Sequence, residues 1–471
     1  MPFANKPTTK TLASLANVSL TPFWLDDKKK PASAPVLTDQ ISTDLLVIGG
    51  GYSGLWTALQ AREANPARDV VLIEAGASAN AASGRNGGFV AASLTHGFEN
   101  GKARWPGQMS ELTALGHSNL QGIADAVRHY QIECDFMMSG ELTVATEPYQ
   151  VEILRAASVR AEPYGEKLTW MDAGQVQQQV HSPTYLGALF NPIGAMVNPA
   201  RLAWGLRRAC LETGVRIFEN TPATGIRDAG NELLTNTPYG SIRARRIALG
   251  TNAFQPLIKR LSHYVVPVYD YVLMTEALTA SQREAIGWNN RQGIADAANQ
   301  FHYYRTTADG RILWGGYDAI YYQNNGVGPQ FDVSWKSFGK LAEHFFQTFP
   351  QLEGLSFTHA WGGAIDTCSR FSPFWGTACA GKLAYSLGFT GLGVGATRFG
   401  AQVMLDLLDG VSSQRTSLKM VQTKPMPFPP EPVRSAVINL TRGSLDRADQ
   451  NLGNRNFWLR TLDAFGLGFD S

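Results

Sequence analysis

The sequence predicts an α/β protein: a Rossmann-like parallel-sheet domain that binds a dinucleotide, with an inserted α+β lobe built on a mixed or antiparallel β-sheet. Three observations predict it. Residues 44–88 read as strand, glycine fingerprint, helix, second strand and a further glycine-rich segment. A second strand, glycine turn and helix occupy residues 383–408. Between them, residues 262–358 are rich in Val, Tyr, Phe and Trp and read mostly as β.

The fingerprint comes first. Leu45, Leu46, Val47 and Ile48 form an apolar run suited to a strand buried on both faces. Gly49-x-Gly51-x-x-Gly54 follows, with Tyr52 and Ser53 inside it, and then Leu55, Ala58 and Leu59 set the apolar face of a helix. A second run, Val70 to Ile73, ends on Glu74 and Ala75. The glycines make the tight turn, let backbone approach a pyrophosphate and allow close helix–strand packing. The helix start offers free N–H groups and a positive dipole end to the phosphates. Glu74 can accept hydrogen bonds from ribose hydroxyls. In a chain with 47 glycines a bare GxGxxG says little; the flanking strand, helix and acid make this one specific.

Size and composition set the frame. At 471 residues, 44% apolar and 17% charged, the chain can form two domains or one large two-lobed one. A net charge of +2 gives no electrostatic case for nucleic acid or an anionic membrane. Cys134, Cys210, Cys368 and Cys379 are scattered, which suits a reducing compartment. The eight histidines form no HExxH-like cluster, so no metal is expected. There is no signal-peptide pattern and no apolar run of membrane-spanning length, so the expected location is the cytoplasm.

Residues 1–43 read as a polar arm, with Lys28, Lys29 and Lys30 as a solvated face and Phe23, Trp24 and Leu25 as its anchor. The dinucleotide domain is expected to be discontinuous, from 44–136, 195–260 and 360–411. The inserted lobe takes 137–194 and 261–359, and 412–471 form a Pro-rich strap and helix ending in Trp458, Leu459 and Phe465. Ser83, Gly84, Arg85, Asn86, Gly87 and Gly88 follow Glu74 too closely for another long helix. A loop of this kind brings backbone N–H groups to a ligand already lying on the first helix. In a long dinucleotide such as FAD, that part is the ribityl chain and flavin ring.

Periodicity predicts helices over 111–127, 148–163, 172–180, 200–213 and 333–349. Pro199 and Gly214 mark the start and stop of the fourth. Gly250, Thr251 and Asn252 form a small-residue turn after a buried strand, where backbone can pass close to a cofactor. Strands are expected at 265–275, 300–305 and 311–317, and residues 361–366 are expected to re-enter the first domain. Gly391, Leu392, Gly393 and Val394 then open the helix at 396–408. Its N-terminus is a second anion site, suited to a flavin edge that becomes negative on reduction.

Taken together, these segments resemble the D-amino-acid oxidase superfamily of FAD-dependent amine oxidoreductases, in particular its γ-glutamylputrescine oxidase branch, with sarcosine and glycine oxidases further away. The likeness runs from Trp24 to about Gly410. It implies FAD as cofactor and oxidation of the C–N bond of a small amine or amino acid. The neutral amine gives hydride to flavin N5, and the imine hydrolyses to a carbonyl. Oxygen or another acceptor, such as a quinone or a carrier protein, takes the electrons. Chemistry of this kind asks the protein mainly to position carbon and tune the flavin. A flavoprotein that binds a partner without catalysis is the alternative of another class.

Two departures from the pattern stand out. Where sarcosine oxidases attach FAD through cysteine, a glycine near Gly362 stands here and Cys368 lies too far on, so noncovalent FAD is expected. Where they carry a lysine linked to oxygen activation, this chain has Trp314. The candidate substrate contacts are Tyr271, His302, Tyr304 and Arg305, with Trp361 or Phe389 as an apolar wall. Alternation puts His302 and Tyr304 on one strand face and Arg305 on the other, and only one set can point inward. Arg305 or Arg311 could hold a substrate carboxylate bidentately.

Overall fold

The computed structural model describes residues 3 and 6–464; Phe465 lies outside the described residues. Two large sheets organise it. The first runs in the order Phe374–Ala378, Leu383–Leu387, Ser241–Leu249, Gln40–Ile48, Val70–Ile73, Arg216–Phe218. The last five of these strands are mutually parallel. Gln40–Ile48 lies in the middle, with Val47 in register with both Leu72 and Ala248.

Period-two alternation explains the unbroken apolar run in this central strand. Leu45 and Val47 face one core, where Leu55 and Leu59 of the helix Tyr52–Ala64 meet Leu206 and Val403. Leu46 and Ile48 pack on the opposite face of this sheet with Val71, Ile73 and Ile247. The helices Pro199–Glu212 and Gly393–Asp409 pack beside Tyr52–Ala64 on the first face. Parallel strands place their C-terminal ends at one rim, where ligands bind in open α/β sheets. Gly49, Glu74, Gly250 and Gly388 all follow directly on those ends.

The second sheet has nine strands. Its path runs Ile320–Tyr321, Val266–Thr275, Ile312–Gly316, His302–Thr306, Gly293–Asp296, Glu141–Ala145, Gly187–Asn191, Thr169–Asp172. The helix Trp335–Thr348 seals one face, and there Phe338, Leu341 and Phe345 meet Tyr271, Tyr304 and Trp314 in the second core of the protein. Phe357–Thr367 also belongs here, paired along its length with Val266–Thr275. The return to the first sheet, expected at residue 360, therefore comes only after Thr367, because a long neighbouring strand offers its backbone a partner.

The N-terminal arm is anchored as its aromatic residues suggest: Trp24 and Leu25 are buried. Beyond Gly410 the Pro-rich segment leads into the helix Val433–Gln450, which packs on the second lobe through Asp449 and Glu431. Among the described residues, no helix is long and apolar enough to cross a membrane.

Candidate active site

A cavity of about 1270 Å³ runs from the rim of the first sheet to the face of the second. That exceeds the ~300–1,000 Å³ usual for one drug-sized ligand, leaving room for a dinucleotide and a substrate. Its inner end is built from glycines. Gly49 adopts φ +116°, and a Cβ there would come within 2.5 Å of the Gly250 carbonyl oxygen, so the turns at 49–51 and 250–252 pack against each other. A Cβ on Gly51 would meet Ser83 Oγ at 2.8 Å. Ser83 Oγ accepts from the Tyr52 backbone N–H at 2.9 Å and ties the third turn to the helix start.

Glu74 sits where the fingerprint requires. Its Oε2 accepts from Gly50 N at 2.6 Å and Oε1 from Gly76 N at 2.9 Å. Burial raises its pKa above the ordinary carboxylate range despite those hydrogen bonds. Ser53, on the cavity wall next to Gly250, has its Oγ buried without a partner. An orphaned hydroxyl at a helix start facing a cavity fits a phosphate-bearing ligand.

The other glycine turn is pinned by an acid. Asp366 Oδ2 accepts from Gly388 N at 2.7 Å and Phe389 N at 3.2 Å, and burial pushes its carboxyl up to about 7. Gly391 has φ +88°, with nothing near the position of a Cβ. Leu392, Gly393 and Val394 continue along the cavity wall into the helix Gly393–Asp409. A Cβ on Gly395 would strike the Ala91 carbonyl at 2.3 Å, so this helix start lies directly on the strand Phe89–Ala91 that follows the Ser83–Gly88 segment.

Of the residues expected to touch the cofactor, Gly49, Gly51, Tyr52, Ser53, Glu74, Ala75, Ser83, Arg85, Asn86, Gly87, Gly250, Thr251, Asn252, Gly391, Leu392, Gly393 and Val394 line this cavity. Gly54, Gly84, Gly88 and Trp361 do not. The three glycines are small for packing: added Cβ atoms would lie 1.8 Å from Gly49 O, 2.3 Å from Ala79 O and 2.2 Å from Val197 O. Trp361 instead braces the segment from behind, its Nε1 donating to the Arg85 carbonyl at 2.9 Å. Trp24 does the same at Asn86, also at 2.9 Å.

The substrate contacts expected from sequence lie elsewhere. His302 is fully buried in the second core, with Nδ1 2.6 Å from Asp296 Oδ2 and Nε2 2.9 Å from His344 Nδ1. Burial and the neighbouring His302 hold His344 well below the usual histidine range, at about 2. Tyr304 shares a 2.8 Å hydrogen bond with Tyr185, and Tyr271 donates to Phe331 O beside Tyr322. Arg305 donates to the carbonyls of Val197 and Gly88, and Arg311 to Asp309 and Thr275, so neither is open to a carboxylate. Trp314 likewise turns into the second core. Phe389 does line the cavity.

The wall facing the glycine turns comes from the opposite strand faces. Val268, Asp270 and Val272 line it together with Tyr303 and Tyr317. The Tyr303 hydroxyl is 2.6 Å from Asp270 Oδ2, and Gly316 N donates to Oδ1 at 3.2 Å. Burial pushes Asp270 up to about 6 even so. Glu141, first in its strand, also lines the cavity and is pushed up to about 7 by burial alone. None of Asp270, Tyr303 and Glu141 was a candidate from sequence. The available signal was one acid in each of two strands that carry no other charged residue.

Two helix starts converging on one cavity, a ribose-ready acid and a β lobe closing the far side define a flavin-dependent oxidoreductase. The chain belongs to the DAO family of FAD dependent oxidoreductases, which matches residues 44–407. Its cofactor is FAD. It is 29% identical over 412 residues to the gamma-glutamylputrescine oxidoreductase of Escherichia coli, covering 86% of this chain and 92% of the relative. It is 22% identical over 346 residues to the sarcosine oxidase subunit beta of Rhodobacter capsulatus, covering 70% and 76%. Among solved structures, glycine oxidase from Geobacillus kaustophilus shares the fold with a TM-score of 0.68 at 18% identity, covering 82% of this chain and 99% of that one.

Proposed function

We propose that this flavoenzyme oxidises the C–N bond of a small-molecule amine and passes the electrons to dioxygen. The acidic substrate wall carries the reading. Glu141, Asp270, Asp318 and Asp332 line the cavity against two guanidinium groups, and Arg85 is already paired with Asp332 at 2.5 Å. Such a surface draws ammonium groups. The relative named for γ-glutamylputrescine oxidation supports the same substrate class.

Bound FAD supplies an acceptor for the hydride that leaves the substrate α-carbon. The protein's share is to hold the amine, take its ammonium proton onto a carboxylate and exclude bulk water with Val268, Val272 and Phe389. For a primary amine the balance is RCH2NH3+ + O2 + H2O → RCHO + NH4+ + H2O2. We read FAD as noncovalent, because among the described residues no cysteine lines the cavity. Gly49, Gly51, Tyr52, Ser53, Glu74, Ser83, Arg85, Asn86, Gly87, Gly250 to Asn252 and Gly391 to Val394 form its proposed cradle.

Anaerobic mixing of the yellow holoenzyme with an amine panel is expected to bleach the visible flavin band. A protein purified without flavin, or one that no amine bleaches, overturns the reading. Trp314 lies on the strand face turned away from the cavity, so it does not stand where a lysine beside the flavin would, and a quinone or carrier protein is the alternative acceptor. Peroxide release against dye reduction in sealed cuvettes separates the two.

A further inference from the structure

Nearly every carboxylate and guanidinium on the cavity wall is matched by a neighbour. Asp270 is held by Tyr303 and Gly316, Asp318 by Ser337 and Lys340, and Asp332 by Arg85. Glu74 and Asp366 accept from backbone N–H groups of the two glycine turns. Among the described residues two groups are left, and their charges are opposite: Glu141 and Arg442.

Glu141 lies toward the second glycine turn. Its Oε1 is buried without a hydrogen-bond partner, 2.9 Å from where a Cβ on Gly194 would sit. Gly194 pairs with Ala91, whose carbonyl abuts Gly395 at the start of the second glycine-turn helix. A buried carboxylate without a partner is costly, and burial here suits reception of a cation.

Arg442 comes from a different part of the chain. The helix Val433–Gln450 lies beyond residue 407, where the family match ends. Val437, Ile438, Thr441, Arg442 and Leu445 fall at helical spacing and turn one face to the cavity. The helix is clasped at its end by Asp449, which accepts from Asn299 N at 3.0 Å and Gln300 N at 2.9 Å. Those residues lie past Asp296, whereas Glu141 is in register with Gly293 at the other end of the same strand. Three residues of strand separate those ends by ~10 Å, and Arg442 lies about two helical turns before Asp449 on the cavity-facing side of its helix.

The geometry points to a substrate that carries a carboxylate at the end remote from its reacting amine, with the ammonium received by Glu141 and the carboxylate by Arg442. This rests on the amine-oxidising reading above. At the inner end an ammonium N–H bond breaks and a Glu141 O–H bond forms, which leaves the nitrogen lone pair that hydride loss from the adjacent carbon requires. At the outer end a guanidinium and a carboxylate form a charge-assisted pair. An α-amino acid, with both charges on one carbon, engages only one of the two groups.

The test compares straight-chain ω-amino acids of increasing length with the same chains ending in a neutral amide, using the holoenzyme under anaerobic conditions. The wild type is expected to prefer the carboxylate ends, with an optimum chain length. Arg442→Met is expected to reduce that preference in kcat/KM about ten- to a hundredfold. Glu141→Gln lowers kcat/KM for both series alike and leaves the preference standing. Straight-chain monocarboxylates that lack an amine are expected to perturb the flavin spectrum of the wild type and to bind more weakly to Arg442→Met. An unchanged preference in folded, flavin-loaded Arg442→Met, or no preference in the wild type, overturns this inference alone. If no amine of either series reduces the flavin, the amine-oxidising reading falls with it.

Discussion

The phenol of Tyr303 lies 2.6 Å from Asp270 Oδ2, and the pair stands on the cavity wall opposite the glycine turns. The hydrogen bond favours the carboxylate over the carboxylic acid, offsetting part of the burial that raises Asp270 to about 6. Tyr303→Phe removes this support, so Asp270 keeps its proton to higher pH. The expected outcome is an acid limb of flavin reduction displaced upward by about one pH unit, with kcat/KM down about twofold near neutrality and approaching about tenfold at the acid end of the profile. A profile that superimposes on the wild type, measured by anaerobic stopped flow across pH 5–9, excludes a role for the pair.

His302 makes the opposite case. It is sealed in the second core between Asp296 and His344, on the strand face turned away from the cavity. His302→Gln is expected to lower stability by about 1–3 kcal/mol through the broken hydrogen bonds. The rate of flavin reduction in the folded remainder is expected to be unchanged. Thermal melting and single-turnover kinetics on one preparation check both statements, and a large rate loss without a stability loss contradicts them.

These two neighbours show what could be read in the sequence and what could not. Gly49, Gly51 and Glu74 were legible because a positive φ, a close backbone approach and an acid at a strand end are demands that few residue types satisfy. The strand at 302–306 declared its alternation equally clearly, but alternation names two faces without saying which one a helix covers. The choice was made by Phe338 and Phe345, some forty residues further on, which pack on the face of Tyr304 and leave Tyr303 to the cavity. The placement of Phe357–Thr367 escaped for a related reason. Residues 361–366 read as a return to the first domain, while the long partner of this strand, Val266–Thr275, was too remote in sequence to be seen beside it. Arg442 was hidden further still, on a helix whose docking depends on Asp449 and Glu431 meeting loops of the other lobe.

Two glycines three residues apart are expected to fail differently. A Cβ on Gly54 would lie 1.8 Å from the Gly49 carbonyl oxygen, a clash with backbone that has nowhere to retreat. Gly54→Ala is therefore expected to cost at least ~1–3 kcal/mol and to reduce soluble yield. On Gly51 the Cβ meets only Ser83 Oγ, a side chain that can rotate, but it protrudes where the pyrophosphate is proposed to lie. Gly51→Ala is expected to fold with near-normal circular dichroism and to retain much less flavin per chain. Equal flavin content in Gly51→Ala and wild type would place the pyrophosphate elsewhere.

Asp366 gives the fold a pH dependence with a definite sign. Burial raises its folded-state value to about 7, above that of the unfolded chain, despite the N–H groups of Gly388 and Phe389. A group raised in this way contributes its full stability below the ordinary carboxylate range, near ~4, and that contribution is lost as the pH climbs through about 7. Glu141, at about 7, and Asp270, at about 6, act in the same direction. His96, His344 and His359, which burial holds below the ordinary histidine value, act in the opposite direction over the same window, so for the flavin-free protein the sign is read from the difference between wild type and an Asp366 variant at pH 5.5 and pH 8.5. Asp366→Asn keeps a carbonyl oxygen for Gly388 N but has nothing to ionise. Its melting temperature is expected to fall less, or rise more, than that of the wild type from the lower pH to the higher, by a margin on the order of 1–4 kcal/mol in stability. Parallel slopes for variant and wild type, followed by circular dichroism, would mean that the carboxyl under the second glycine turn does not titrate with folding.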